Sequence, residues 1–431
     1  VQFIAISGDS RPSHAHIAKF VASLSDQIKP LFSQVLMTCD AHGLIGREMF
    51  AIDGVKLPSN ASKERSGTHE ELRHRADRLD KAADKILALH QAQDKAGAHE
   101  PLEAKRQARI DDLRQEAART RDFVANSPKR LNSKGQELKS NITDPDSAKM
   151  ATNKCVIQGD AAQAAVDSAH QIIVAADVVG SGSEQAMLAP MIEQAKPWSD
   201  ENTLVTADAG YHSDVNVQQL HDSDTPALIA DGQMRKRDER FEGRDKHKTK
   251  PDPLHDKQVN DEPPEGKHFR PKDFRFNDTD TTAICPAGQV LISRGGIHTS
   301  ASGQPYQTYI AKATDCGSCS LRQQCIKSRG QDETRPMLRG RQVSRFLPKA
   351  PDPNHPSERM RQAIDSPRGR QLYSLRLGTV EPVFANLRHN KRLTRLNHRG
   401  QAKVKAQWSL YCMVHNIEKL SKAGFGQVGI Q

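Results

Sequence analysis

Aromatic side chains make up only 4% of this 431-residue chain, so aliphatic residues must build most of any core. No run approaches the ~18 consecutive apolar residues of a membrane-spanning helix, and mean hydropathy is −0.71, which excludes a helical membrane protein. Seven cysteines are too few for a disulfide scaffold at this length. No glycine-rich phosphate loop appears, which argues against nucleotide hydrolysis as a power source. No basic-then-apolar signal segment opens the chain. It starts at Val1 inside apparently folded sequence (VQFIAISGDS), which reads as an N-terminus truncated from a longer parent. The expected setting is the reducing cytoplasm of a bacterium, with nucleoid association.

What the chain has is positive charge. Lys and Arg number 63 against 53 Asp and Glu, a net charge of +10. Between Arg335 and Lys405 stand 17 basic residues against Asp352, Glu358, Asp365 and Glu381, so this stretch carries +13 and the remainder −3. A basic stripe so confined is the electrostatic footprint expected on a nucleic-acid backbone. Exposed basic helices without such partners are the plain alternative.

Periodicity divides the chain. Residues 1–47 read as helical. REMFAIDGVKL reads as a short strand with Met49 and Ala51 on one face, Phe50 and Ile52 on the other, closed by Asp53-Gly54. Over 62–140 the composition turns to Ala and charge. Leu72, Ala76, Leu79, Ala83, Ile86 and Ile110, Leu113, Ala117, Thr120, Val124 each step by three and four, predicting a helical hairpin. AAQAAVD and QIIVAADVV predict two strands, with Asp167 structural at the turn between them. SEQAMLAPMIEQA predicts a helix capped by Ser183, TLVTAD a strand, SDVNVQQLHDSD a helix and PALIAD a strand. This order predicts an α/β mixed sheet over 48–61 and 141–231. Residues 232–282 predict a charged, mobile loop, leading into a cysteine-rich insertion that ends at 355. Residues 356–431 return to basic helix, with Trp408, Tyr411, Cys412, His415 and Leu420 suggesting a buried face.

Three carboxylates stand out by position. Asp53 and Asp208 each end a short apolar strand, and Glu381 sits inside the basic stripe. Carboxylates at adjacent strand ends can converge on a divalent cation, and two such ions can hold the attacking and leaving oxygens of an in-line phosphoryl transfer. Taken singly, each Asp also suits a turn or cap. Cys285, Cys316, Cys319 and Cys325 include a CxxC pair and suit a structural Zn²⁺; the plain alternative is four buried thiols in a small subdomain. Cys39, Cys155 and Cys412 read as ordinary thiols.

At this point the sequence resembles the DDE-type transposases of bacterial insertion sequences. The closest subgroup has a long helical insertion and a cysteine-rich segment. TADAGYHSD (206–214) followed by PALIAD resembles the second catalytic block. IDGVKLPSNAS, TDPDSAKM, GDAAQAAVDSAHQIIVAADV, CPAGQVL, CGSCSLRQQC and YSLRLGTVEPVFANLRHNKRLTRLNHRGQAKV follow the family's order over nearly the whole chain. The resemblance implies a ribonuclease-H-like core presenting Asp53, Asp208 and Glu381 to Mg²⁺ or Mn²⁺. It places Tyr373 and Arg376 beside the catalytic Glu. Arg376 would grip a DNA phosphate, and Arg388, Lys391, Arg392 and Arg395 belong to the basic surface expected on DNA. Asp144 and Asp146 are rivals of Asp53. Pro382 suggests a helix that begins or kinks at Glu381. Val55, Gly159-Asp160-Ala161 and Arg388 stand where the family commonly has Thr, Gly-Tyr-Asn and Lys. The implied activity is cutting element ends and joining the 3′-hydroxyl to target DNA. The implied partners are terminal inverted repeats, target DNA and a second copy of the chain in a synaptic complex. A degenerate copy that binds DNA without catalysis is the alternative, and a plain metal-dependent nuclease is a third reading.

Overall fold

The computed structural model describes residues 10–24, 27–95, 104–132, 135–152, 155–241, 269–277, 281–301, 303–326, 339–347 and 352–424. The chain divides into two units, one of residues 1–240 with 356–431 and one of residues 241–355.

The larger unit opens with helices α1 (His14–Ser23) and α2 (Ile28–Ala41), then strand β1 (Met49–Pro58). A short ladder of β2 (Ser66–Gly67) and β3 (Ser140–Asn141) closes the base of an inserted hairpin, helices α3 (His69–Lys95) and α4 (Ala104–Asn126). Ala83, Ile110 and Leu113 form the hairpin's small apolar core, as the three-and-four spacing predicts. Strands β4 (Ala148–Ala151), β5 (Val156–Asp167) and β6 (Ile173–Val179) follow. Helix α5 (Leu188–Ala195), strand β7 (Leu204–Ala207), helix α6 (Asp214–Asp222) and strand β8 (Ala227–Ile229) complete the α/β run. After the second unit come α7 (Pro356–Asp365), α8 (Pro367–Ala385) and α9 (Gln401–Lys422).

The sheet runs β4-β5-β1-β7-β8. β1 lies antiparallel to β5 and parallel to β7, and β7 parallel to β8. The outer edge of β5 is shared: residues 156–159 pair with β4 and 161–166 with β6. Alternation along β1 sends Phe50 and Ile52 to one core, with Met191, Val205, Tyr211, Leu220 and α2's Leu36. Ala51 faces the other core, with Val166, Val380, Val383, Leu387 and Trp408. Helices therefore cover both faces of the sheet, which is the reason its strands read as nearly continuous apolar runs. Mixed α/β architecture agrees with the sequence-based expectation.

Three local expectations change. Asp53-Gly54 does not close β1, which runs on to Pro58 with Asp53 opposite Ala164 and Gly54 opposite Gln163, because β5 is long enough to pair with it throughout. Ser183 does not cap α5; a 3₁₀ turn over Gln185–Met187 leads into it instead. Nor does a helix begin or break at Glu381. α8 starts at Pro367, with Ser366 Oγ accepting from Gly369 N at 3.0 Å, and runs through Pro382 into a π-helical turn at Asn386–Asn390. Pro382 leaves the carbonyl of Gly378 without its helical donor, and Gln171 Nε2 donates to that oxygen at 3.2 Å.

In the second unit, a five-stranded sheet runs β13-β12-β11-β10-β9, with every pairing antiparallel. Its strands are β9 (Arg275–Phe276), β10 (Thr282–Ile284), β11 (Val290–Thr299), β12 (Pro305–Ile310) and β13 (Gln342–Phe346). Phe274, Ala283, Leu291, Tyr309 and Val343 form its core. The loop expected over 232–282 lies largely outside the described residues. Its described start is anchored, since Arg237 pairs with both Asp231 and Asp365 at 2.6 Å.

Candidate active site

The parallel register of β1 and β7 sets Ile52 beside Ala207. The next residue in each case is an aspartate: Asp53 continues β1 opposite Ala164 of β5, Asp208 follows the last residue of β7, and the two stand side by side. Local backbone donors orient both. Asp53 Oδ1 accepts from Gly54 N at 2.8 Å, and Asp208 Oδ1 from Gly210 N at 2.8 Å. Burial pushes the Asp53 carboxyl above its ordinary range; Arg376 opposes the shift and the charge of Asp208 adds to it.

Helix α8 supplies the cation. Arg376 Nη1 donates to Asp53 Oδ2 at 3.0 Å, and the Arg376 side chain is only 7% exposed. Its guanidinium carbon lies 5.7 Å from the centroid of the Tyr373 ring. Tyr373 packs toward Leu228, Ala230 and Met234, and burial raises its phenol. Arg376 Nε is buried without a hydrogen-bond partner, an unsatisfied donor at the mouth of a carboxylate pair.

Three residues of this site escape sequence reasoning. Tyr211 is fully buried and its hydroxyl donates to Oε1 of Gln163, which is also fully buried. Gln163 leaves no room beyond glycine at position 54, where a Cβ would meet its Nε2 at 2.5 Å. Glu184 precedes the turn into α5. Burial raises its carboxyl, the charges of Asp208 and Asp53 add to the shift, and Lys56 opposes it. None of the three has a periodic or spacing signal; only the apolar context of Gln163 in AAQAAVD hinted at burial.

The other expected residues are placed as follows. Glu381 lies exposed on α8, and among the described residues its side chain makes no hydrogen bond or ion pair. Asp144 and Asp146 accept from the backbone N–H groups of Gly400 and Gln401 at 3.2 and 2.8 Å, at the start of α9. Asp167 accepts from the backbone of Gly46, Arg47, Ala169 and His170, the structural turn role read for it. Lys391 pairs with Glu418 at 2.8 Å. Arg395 Nη2 donates to Ser59 O at 3.0 Å. Arg388 and Arg392 are exposed, and among the described residues their side chains make no hydrogen bond or ion pair.

In the second unit, Cys285, Cys316, Cys319 and Cys325 line one cavity of about 30 Å³. Gln289 N donates to Cys285 Sγ and Arg341 N to Cys316 Sγ, each at 3.3 Å. Burial, followed by the neighbouring sulfurs, raises the Cys325 thiol, while Arg341 opposes the shift. Cys39 and Cys412 are buried and Cys155 exposed.

Among the described residues, no three His, Cys, Asp or Glu side chains are placed to hold a metal ion as they stand. At the Asp53–Asp208 site the guanidinium of Arg376 lies on Asp53 Oδ2. The donors there are all oxygens, the set a hard divalent cation takes. Among the same residues, no helix is long and apolar enough to cross a membrane.

Comparison with known proteins gives one match. The family model described as the transposase DDE domain matches residues 284–421. The resemblance read from the sequence is borne out over that segment, which holds the four clustered cysteines, Tyr373, Arg376 and Glu381. Asp53 and Asp208 lie outside it. No curated protein and no solved structure matches the chain.

Proposed function

From the match of residues 284–421 to the transposase DDE domain, we propose that this protein is a DDE transposase. It cuts the ends of insertion-sequence DNA and joins the freed 3′-hydroxyl to target DNA. The observation that carries this reading is Asp208, just past the end of β7, set beside Asp53 within the parallel neighbour β1, with Arg376 seated on Asp53. Bound Mg²⁺ or Mn²⁺ would supply charge stabilisation for in-line phosphoryl transfer. Asp53 and Asp208 would hold it. Arg376 has a second role in this reading: the accessible edge of its guanidinium grips a DNA phosphate oxygen while Nη1 fixes the Asp53 carboxylate. Tyr373, against the guanidinium, holds that fork in plane. Glu381, exposed further along α8, is the third carboxylate that the resemblance implies. Arg388 and Arg392, whose side chains have no partner among the described residues, bind the DNA backbone, and a second copy of the chain completes the synaptic complex.

Cys285, Cys316, Cys319 and Cys325 would hold a structural Zn²⁺ in the second unit. The support is the pair of backbone N–H to sulfur bonds on Cys285 and Cys316, which stabilise thiolate over thiol.

The test uses labelled duplexes from the DNA flanking the gene, with Mg²⁺ or Mn²⁺, beside Asp208→Asn. Nicking at a defined end with joined products, both lost in the variant, is the expected result. Hydrolysis without joined products would mean a nuclease. Salt-sensitive binding without cleavage by either protein would mean a degenerate copy.

A further inference from the structure

Glu184 is chained to the site of Asp53 and Asp208 through the backbone around it. Gln185 Nε2 donates to His212 O at 3.0 Å. Asn216 Nδ2 donates to Gln185 O at 2.8 Å and to Tyr211 O at 2.7 Å. These bonds sew the segment after β6 to the segment after β7. The result is a close meeting of carboxylates over Gly210. An ideal Cβ on that glycine would lie 3.0 Å from Asp208 Oδ1 and 3.0 Å from Glu184 Oε2, so the two oxygens are within twice that distance of each other. A side chain at 210 would part them.

Such a pair repels, and the protein supplies little to offset it. Glu184 makes no ion pair, and Lys56, the cation that acts on it, donates to Ala151 O at 3.3 Å. Arg376 is committed to Asp53. Three carboxylates less one guanidinium leave two negative charges, the complement of one divalent cation. A second observation points into the same place. Gln163 is fully buried, its Oε1 takes the Tyr211 hydroxyl, and its Nε2, packed over Gly54, acts on the Glu184 carboxyl without a hydrogen-bond partner of its own. A buried amide donor left open beside the Glu184 carboxyl is costly unless a ligand, such as a cation-bound water, completes it.

We propose that Glu184 is a carboxylate ligand of the divalent cation held by Asp53 and Asp208, with Gln163 and Tyr211 as positioning residues. The inference rests on the reading of the Asp53 and Asp208 pair as a cation site. Glu184 lies before the helix that follows β6, and it adds its carboxylate beside Asp208 over Gly210.

The experiment measures Mn²⁺ affinity of the full chain by titration calorimetry, alongside Mg²⁺-dependent nicking. Glu184→Gln is compared with wild type, Asp208→Asn and the exposed Glu193→Gln of α5 as control. Thermal melts establish that each variant folds, and Glu184→Asp provides a variant that keeps the charge. Glu184→Gln is expected to weaken Mn²⁺ at least tenfold, Glu184→Asp less, and Glu193→Gln not at all. Nicking by Glu184→Gln should recover in part as the cation is raised, which a purely structural role would not produce. Unchanged Mn²⁺ affinity in Glu184→Gln with loss in Asp208→Asn overturns the inference and leaves the cation site standing. No Mn²⁺ binding by wild type overturns both. Mn²⁺ binding lost in Glu184→Gln, with no DNA cleavage by wild type, upholds the ligand and overturns the transposase reading.

Discussion

Arg376 of α8 donates to Asp53 of β1 at 3.0 Å across 323 residues of sequence. The pair is mostly buried, with side-chain exposures of 7% and 20%. Removing one partner leaves the other as an unpaired, desolvated charge. Arg376→Ala should therefore destabilise the larger unit by about 3 kcal/mol, read as a fall in the thermal midpoint. Arg376→Lys keeps the charge but loses the planar fork, so it should melt nearer wild type and still nick DNA at least ~10-fold more slowly.

Asp53→Asn and Asp208→Asn test the carboxylate pair directly. Each should lower end nicking by at least ~100-fold, while duplex affinity in a gel-shift titration stays within about threefold of wild type. Loss of binding along with nicking would assign these residues to folding instead of chemistry.

Asp160 gives the pH dependence. It is buried at 2% exposure, its Oδ2 has no hydrogen-bond partner, and burial with the charges of Asp144 and Asp146 pushes its carboxyl up to about 7. The folded state therefore holds a proton that the unfolded chain releases near its ordinary value. Stability from this group is full below about pH 4 and declines as pH rises to about 7. Asp160→Asn should remove that decline. The variant is expected to melt several degrees above wild type at pH 8 and close to it at pH 4. Equal midpoints at pH 8 would refute the assignment.

Trp408 ties α9 to the sheet. It is fully buried, stacks on Phe384 with ring centroids 6.3 Å apart, and donates from Nε1 to Gln163 O at 2.9 Å. Trp408→Ala should cost about 3–5 kcal/mol. Because Gln163 also accepts from Tyr211, Mn²⁺ affinity should fall with it. Urea unfolding and the same calorimetric titration measure the two effects.

The cysteine unit predicts its own metal. Purified protein should carry close to one zinc per chain by elemental analysis. Cys316→Ser should lose it and expose the 269–347 segment to protease, with the larger unit's melt unchanged. Zinc-free wild-type protein with an intact second unit would show four ordinary thiols.

Strand and helix order in the larger unit was legible because its signals are local. Phe50 and Ile52 alternate with Ala51, the hairpin keeps its three-and-four spacing, and Ser213 caps α6 by accepting from Asn216 N at 3.1 Å. The course of α8 was not legible. Pro382 is a helix breaker by its own chemistry, and only Gln171, from a distant hairpin, satisfies the carbonyl it frees. The strands of the second unit were missed for a similar reason. Its residues alternate weakly, and a small core of Phe274, Leu291, Tyr309 and Val343 draws them into a sheet.

The site divides along the same line. Sequence alone determined that aspartates follow two apolar runs, that positive charge gathers between residues 335 and 405, and that four cysteines cluster, since each is a matter of neighbours along the chain. Tertiary structure decided which charges meet. It paired Arg376 with Asp53, brought Glu184 over Gly210 to Asp208, braced Tyr211 on Gln163, left Glu381 exposed and set Asp144 and Asp146 at the start of α9. These contacts depend on sheet register and on which helix covers which face, and those are fixed by burying apolar surface over the whole unit, not by any local run of residues.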